Sequence, residues 1–182
     1  YLELKYISIL LLILLIGSYV YKNHDDFPYY HLTYSLNLSE NQFIIGTGAF
    51  SYGFRTFSSI FYYNSILYMP IIKFYLFHIS TFFILVFFNY IILDNLHKNI
   101  KENKINFLYY FKLLSLIFIN VAFYRIAEHG TDRSAQILVI ILIIELLSLN
   151  FLSKIKLINL MYIYILSALI ISIKAFFILY II

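Results

Sequence analysis

The sequence predicts an all-α polytopic membrane protein with about five transmembrane helices. Of its 182 residues, 63% are hydrophobic and only 12% are charged. The mean hydropathy of +0.86 is far above that of water-soluble domains. The apolar residues fall into five runs of about span length. No basic face free of hydrocarbon remains for nucleic acid, so the net charge of +4 favours membrane lipids as partners.

The five runs form a single predicted transmembrane domain over residues 1–182. The predicted spans are, in order, about 4–21, 71–93, 105–124, 137–152 and 157–173. We expect the first span to be a retained anchor, because no small-residue cleavage site follows Gly17 and Ser18. The chain begins with Tyr1, methionine occurs only at Met69 and Met161, and the chain stops at Ile182 inside an apolar run. We therefore expect it to be the N-terminal part of a longer protein.

Lysine residues predict the orientation in the membrane. Six of them fall on one side: Lys5, Lys98, Lys101, Lys104, Lys154 and Lys156. By the positive-inside rule that side is the cytoplasm, so the protein is expected in the cytoplasmic membrane. The outer loops 22–59 and 125–136 then face the extracytoplasmic side. They hold five of the nine acidic residues and most of the groups capable of chemistry.

The first outer loop opens with two adjacent carboxylates, Asp25 and Asp26, about one helical turn past the first span. Pro28, followed by Leu32 and Leu36 at a spacing of four, predicts a short amphipathic helix at the membrane interface. The two carboxylates can cap this helix. Since adjacent carboxylates repel each other, they can instead form a catalytic base or a cation-binding pair.

Three glycines, Gly46, Gly48 and Gly53, come later in the same loop, ahead of Arg55. A dinucleotide-binding glycine motif requires a βαβ unit, which a membrane loop does not offer. The glycines can form a nest of N–H groups for one phosphate, with Arg55 as its counter-charge. They can equally form an ordinary turn, with Arg55 reaching lipid phosphate. A second interfacial helix is predicted at 58–69.

The second outer loop concentrates charged side chains around one glycine. They are Arg125, Glu128, His129, Asp132 and Arg133. In a solvated turn these opposite charges would pair with each other. Asp132 also suits the first turn of the fourth helix, where the helix dipole favours a negative charge. The alternative is a functional second acidic loop that includes Asp132, Glu128 and His129.

The arrangement Asp26-x-x-x-Tyr30-His31-Leu32, directly after a membrane anchor, carries a family resemblance. It resembles the D-x-x-x-Y-H-L-P signature of bacterial integral-membrane glycosyltransferases with the GT-C fold, the protein mannosyltransferase and aminoarabinose transferase group. Thr33 stands where that pattern usually has proline. The resemblance implies an enzyme that moves a sugar from a polyprenyl phosphate donor to an acceptor outside the cytoplasmic membrane.

The resemblance also implies roles for particular residues. Asp26 would be the general base, assisted by Asp25, and Asp132 would orient a cation or the phosphate. The residues expected at the donor phosphate are Arg55, Lys73, Tyr30 and His31. Oxygen ligands from Asp25, Asp26 and Asp132 would suit Mg²⁺ or Mn²⁺ better than zinc, although some families with this fold need no metal.

Two other classes of protein stay open. A transporter or flippase would place charges and broken helices near the middle of the bilayer, whereas most charges here collect at one face. The charges inside the predicted spans, Lys112 and Glu145, are more simply explained by helix packing. A non-enzymatic membrane assembly subunit would carry the acidic loops as plain surface.

Overall fold

The computed structural model describes residues 2–18, 26–41, 45–55, 57–122, 131–149 and 155–180. The helices within these ranges are α1 (Leu2–Ser18), α2 (Leu32–Glu40), α3 (Ser59–Ile66), α4 (Ile79–Lys101), α5 (Phe107–Ala122), α6 (Thr131–Leu149) and α7 (Leu157–Ile173). A π-helical turn, Phe27–His31, leads into α2, and four 3-10 turns lie at Thr47–Ala49, Tyr52–Arg55, Phe74–Leu76 and Ala175–Tyr180. These ranges contain no β-strand, so the all-α prediction is confirmed for them.

Helix α6 is the centre of the bundle. It packs against α4, α5 and α7. The apolar side chains that it buries are Ala135, Ile137, Leu138, Val139, Ile141, Leu142 and Ile144. A helix that is apolar on nearly every side is stable only when it is enclosed by other elements or by lipid. The composition of α6 therefore accounts for its central position.

Polar contacts show how neighbouring helices pair. The side-chain amide of Asn120 in α5 donates to Asn89 Oδ1 in α4 at 2.7 Å. Lys174 Nζ, just beyond the end of α7, lies 2.7 Å from Asp132 Oδ1 in the first turn of α6. Helices α6 and α7 are therefore antiparallel. The start of α6 and the end of α7 lie at the same end of the bundle.

Helix α3 joins the first loop to this end of the bundle. Ser58 caps it, since its Oγ accepts from the Ile60 N–H at 3.4 Å. Ser59 Oγ lies 3.1 Å from Ser172 Oγ, near the end of α7. A helix is thus present within the predicted segment 58–69, in shorter form as Ser59–Ile66, and its position at a membrane interface stays a prediction.

Helix α4 differs in its bounds from the second predicted span, 71–93. The helix begins at Ile79, after a turn in which Lys73 adopts a φ of 56°. It then continues to Lys101, past the predicted end of the span at residue 93. Lys98 Nζ lies 2.6 Å from Asp94 Oδ2 one helical turn earlier, and such pairs stabilise an exposed helix end.

The other predicted spans agree more closely with the helices. The fifth coincides with α7, and the third, 105–124, contains α5. The first, 4–21, overlaps α1, although residues 19–25 lie outside the described part. The fourth, 137–152, begins late, because α6 already starts with the polar turn at Thr131.

One helical stretch of the described chain, Phe74–Lys101, is long and apolar enough to cross a bilayer by length and composition. Helices α5 and α7 are apolar but shorter, at 16 and 17 residues. The helical fold is thus observed, and the number of membrane spans stays a prediction.

Candidate active site

A polar cavity of about 190 Å³ lies where the first loop meets the start of α6. Three of its lining residues come from the π-helical turn and the residue before it: Asp26, Tyr30 and His31. Four come from the first turns of α6: Thr131, Asp132, Arg133 and Gln136. The two acidic residues from separate predicted outer loops therefore line one cavity. It is smaller than the roughly 300–1,000 Å³ of pockets for drug-sized ligands.

The carboxylate of Asp26 does not cap a helix. Asp26 precedes the π-helical turn, but its backbone is already helical and its side chain makes no capping hydrogen bond. Instead, the hydroxyl of Tyr30, one turn later, donates to Asp26 Oδ2 at 3.4 Å. For Asp26, the capping alternative therefore has no hydrogen bond to support it.

Tyr30 lies within the electrostatic influence of both carboxylates. Burial raises the pKa of Tyr30 from 10.0 to about 12, and the negative charges of Asp26 and Asp132 act in the same direction. The phenol is therefore protonated throughout the neutral range. It can donate a hydrogen bond in the cavity, but it cannot act there as a base.

Lys174 is a further charged residue beside the cavity, and the sequence reading gave it no role there. Its pair with Asp132 is partly solvated, with 29% of the lysine side chain and 60% of the aspartate side chain exposed. Thr131 Oγ1 also lies 3.4 Å from the same carboxylate oxygen. The negative charge of Asp132 is thus balanced by the positive charge of Lys174. Sequence alone could reveal this only if the antiparallel packing of α6 and α7 were already known.

Aromatic packing surrounds the Tyr30–His31 pair. His31 is 3% exposed, and its ring lies edge-on to Tyr30 at 4.3 Å between centroids. The buried ring of Phe61 in α3 lies 5.4 Å from His31 and 6.4 Å from Tyr30. Gly53 also lies directly against Tyr30. Helix α3 and the glycine-containing loop therefore both help to place the motif.

Two predicted phosphate ligands, Arg55 and Lys73, are not among the cavity-lining residues. Arg55 Nε donates to the Gly48 carbonyl at 2.8 Å, and the guanidinium lies 4.3 Å from the centre of the Tyr52 ring. The backbone N–H of Lys73, in an exposed turn, donates to the Met69 carbonyl at 2.6 Å. Contacts of Arg55 and Lys73 with a donor phosphate stay predictions.

Three predicted site residues, Asp25, Glu128 and His129, lie outside the described residues. Over the residues that are described, no group of three or more histidine, cysteine or acidic side chains is arranged to hold a metal ion. Asp26 and Asp132 are the two described members of the predicted Mg²⁺ or Mn²⁺ ligand set. Binding of either cation stays a prediction.

Gln136 shows what the sequence could have revealed about the rest of the cavity. It follows Asp132 by one turn, so a helix starting at Thr131 places both on one face. The predicted start at residue 137 excluded it.

Comparison of the chain with protein-family models, with curated proteins and with solved structures gives no match. The resemblance to GT-C enzymes therefore depends on the Asp26 motif and its surroundings.

Proposed function

We propose that this protein is a membrane glycosyltransferase of the GT-C type. It would move a sugar from a polyprenyl phosphate to an acceptor hydroxyl on the extracytoplasmic side of the cytoplasmic membrane. The observation that carries the proposal is the meeting of Asp26, Tyr30 and Asp132 at one polar cavity. An acceptor hydroxyl needs a base, and a sugar needs several hydrogen-bonding groups. The lining residues supply both.

Apolar side chains on the outside of the bundle support a membrane location. Helix α5 exposes a row in which every side chain is more than half exposed: Phe107, Tyr110, Leu114, Ile117, Phe118 and Val121. Their spacing places them on one helix face. Soluble monomers rarely expose such contiguous apolar surface. Contact with lipid tails removes this apolar face from water, which is favourable.

The position of the lysines supports the extracytoplasmic side for the cavity. Helix α4 starts beside α3, where Ser80 Oγ lies 2.6 Å from the Asn64 side-chain amide. Its 23 residues extend about 34 Å, so Lys98 and Lys101 lie near the opposite end of the bundle from the cavity. By the positive-inside rule, the lysine end faces the cytoplasm.

The cavity suggests a direct role for each of its main groups. Asp26 would take the proton of the acceptor hydroxyl as the new bond from that oxygen to the sugar carbon forms. The bond from the same carbon to the donor phosphate oxygen would break, and the phosphate would leave with the electron pair. Tyr30, donating to Asp26, would orient the base. Arg133 and Lys174 would offset the negative charge of the leaving phosphate.

The test is Asp26→Asn in the full-length protein, with transfer from radiolabelled polyprenyl phosphate hexoses measured in membranes. Asparagine keeps the shape but cannot accept the proton, so we expect transfer to fall by about 10²- to 10⁴-fold. Expression and membrane insertion should be unchanged. Asp25→Asn should lose less.

Glu40→Gln is the matched control. Glu40 is an exposed acid of α2, outside the cavity, whose carboxylate accepts from the Tyr68 hydroxyl at 2.9 Å. Its loss should leave transfer unchanged. Near-normal turnover by Asp26→Asn would remove Asp26 as the base and with it the main support for a glycosyltransferase.

The two charges inside the bundle favour packing over transport. Lys112 is 5% exposed, and its charge interacts with that of Glu145. Lys112 lies about 7.5 Å along α5 from its start, and Glu145 about 6 Å from the end of α6. Both therefore lie toward the lysine-rich end. A transporter would place its binding site near the bilayer midplane instead.

A further inference from the structure

We propose that Gly53 is a positioning residue that holds the Tyr30 side chain against Asp26. A Cβ atom at position 53 would overlap Tyr30 Cβ and lie 2.5 Å from Cγ and 2.9 Å from Cδ1. Ordinary contacts between carbon atoms are about 3.5–4.0 Å. The tyrosine would therefore have to move by about 1 Å. Because the contact is with the root of the side chain, a rotation of the ring alone cannot relieve it.

The contact between Tyr30 and Asp26 does not tolerate such a movement. The distance from the Tyr30 hydroxyl to Asp26 Oδ2 is 3.4 Å, already longer than the roughly 2.5–3.0 Å of most O–H···O hydrogen bonds. The Tyr30 ring is also bounded by the rings of His31 and Phe61. A displacement of about 1 Å at its root would therefore separate the hydroxyl from the carboxylate.

The loop that carries Gly53 is braced by its own contacts. Gly46 begins it with a φ of 89°, a left-handed conformation that favours glycine. Arg55 then closes it by donating to the Gly48 carbonyl and by lying over the Tyr52 ring. A Cβ at Gly48 would lie 3.1 Å from Arg55 Cγ, so this closure is also close-packed. Residues 45–55 thus form a compact support for Tyr30.

The inference depends on the proposed function only for its consequence in sugar transfer. Gly53 does not line the cavity, so it would act through Tyr30 and not on the substrate. If Tyr30 orients the base Asp26, Gly53→Ala should slow transfer to about the level of Tyr30→Phe. Combining the two changes should then cost little more than either one alone, because both remove the same contact.

The decisive experiment measures the contact itself by ¹⁹F NMR, on the full chain in lipid nanodiscs at neutral pH. 3-Fluorotyrosine is placed at position 30, and the resonance is compared before and after Asp26→Asn. With Gly53 present, removing the carboxylate should shift the Tyr30 signal. In the Gly53→Ala background we expect this shift to fall by at least half. The same label at Tyr29, which is 76% exposed, should respond to neither change.

An undiminished effect of Asp26→Asn in the Gly53→Ala protein would overturn the inference. If Gly53→Ala prevents folding, the test is the melting temperature with Tyr30→Gly added. Because glycine lacks the Cβ atom that would be overlapped, the double variant should melt at the same temperature as Tyr30→Gly alone, and a further fall in melting temperature would refute the contact. Failure of the proposed function would appear differently: the wild type would transfer no sugar, while Asp26→Asn would still shift the ¹⁹F signal of Tyr30 in the presence of Gly53.

Discussion

The ion pair between Asp132 and Lys174 offers a way to separate a structural from a catalytic role of Asp132. The two charged atoms lie 2.7 Å apart, but the side chains are 60% and 29% exposed. Pairs of this kind stabilise proteins by about 0.2–1 kcal/mol. A protein of this size loses about 2–4 °C of melting temperature per kcal/mol. Lys174→Met should therefore lower the melting temperature by at most about 4 °C.

Exchanging the two residues, with Asp132→Lys and Lys174→Asp together, rebuilds the pair with its charges reversed. A lysine in the first turn of α6 and an aspartate at the C-cap of α7 each meet the unfavourable end of a helix dipole, at about 0.3–1 kcal/mol each. We therefore expect the exchanged protein to melt within about 8 °C of the wild type. Its cavity, however, holds a cation where Asp132 held a carboxylate.

The assay pairs melting in detergent, followed by circular dichroism, with sugar transfer in membranes. If Asp132 acts in the cavity, the exchanged protein should be stable and should transfer as poorly as Asp132→Lys alone. Recovery of wild-type transfer by the exchange would show that Asp132 only links α6 to α7. The control is the equivalent exchange of Asp94 and Lys98, a pair at the far end of α4 that should leave transfer unchanged.

Two further predictions concern topology and pH. The chain has no cysteine, so a single introduced cysteine reports on its own position. A cysteine at Ser39 should react with an impermeant thiol reagent in intact cells, whereas one at Asn99 should be shielded. Labelling at Asn99 would show that the predicted orientation is wrong. The pKa of Tyr30 is raised from 10.0 to about 12 in the folded protein, so between pH 10 and 12 the tyrosine ionises in the unfolded state first. The contribution of Tyr30 to the free energy of unfolding is therefore fully present below pH 10 and is lost between pH 10 and 12. After a discount for partial exposure, this contribution to the free energy of unfolding is about 1 kcal/mol. The melting temperature of the wild type should therefore fall by about 2–4 °C more than that of Tyr30→Phe over that pH window. An equal fall in the two melting temperatures would contradict the prediction.

The helical fold was predictable because it depends on composition and on the length of apolar runs. The same evidence located α7 between Lys156 and Lys174, and it located α3 within the predicted helix at 58–69. It misplaced the start of α4, since Ile71 and Ile72 are as apolar as the helix that follows. Hydropathy does not distinguish an apolar turn from an apolar helix, and here the backbone at Lys73 leaves the helical region.

The candidate site was predictable only where its residues are close in the chain. Asp26 and Tyr30 stand one helical turn apart, so a local motif identifies them together. The pairing of Asp132 with Lys174 requires two helices to pack antiparallel, and the contact of Gly53 with Tyr30 requires the loop to fold back. Neither arrangement follows from the spacing of residues along the chain.

Phe61 connects the residues of the candidate site to the core of the helical bundle. Its ring is 1% exposed and lies within 6.4 Å of the rings of Tyr30, His31 and Tyr34. Burial of a side chain of this size contributes about 1.5–3 kcal/mol. This favourable term holds the motif against α3, which is itself joined to α7 through Ser59. Tyr30 is therefore joined to the core of the bundle through Phe61 and α3. Asp132 lies at the same cavity because α6 begins at that end of the bundle.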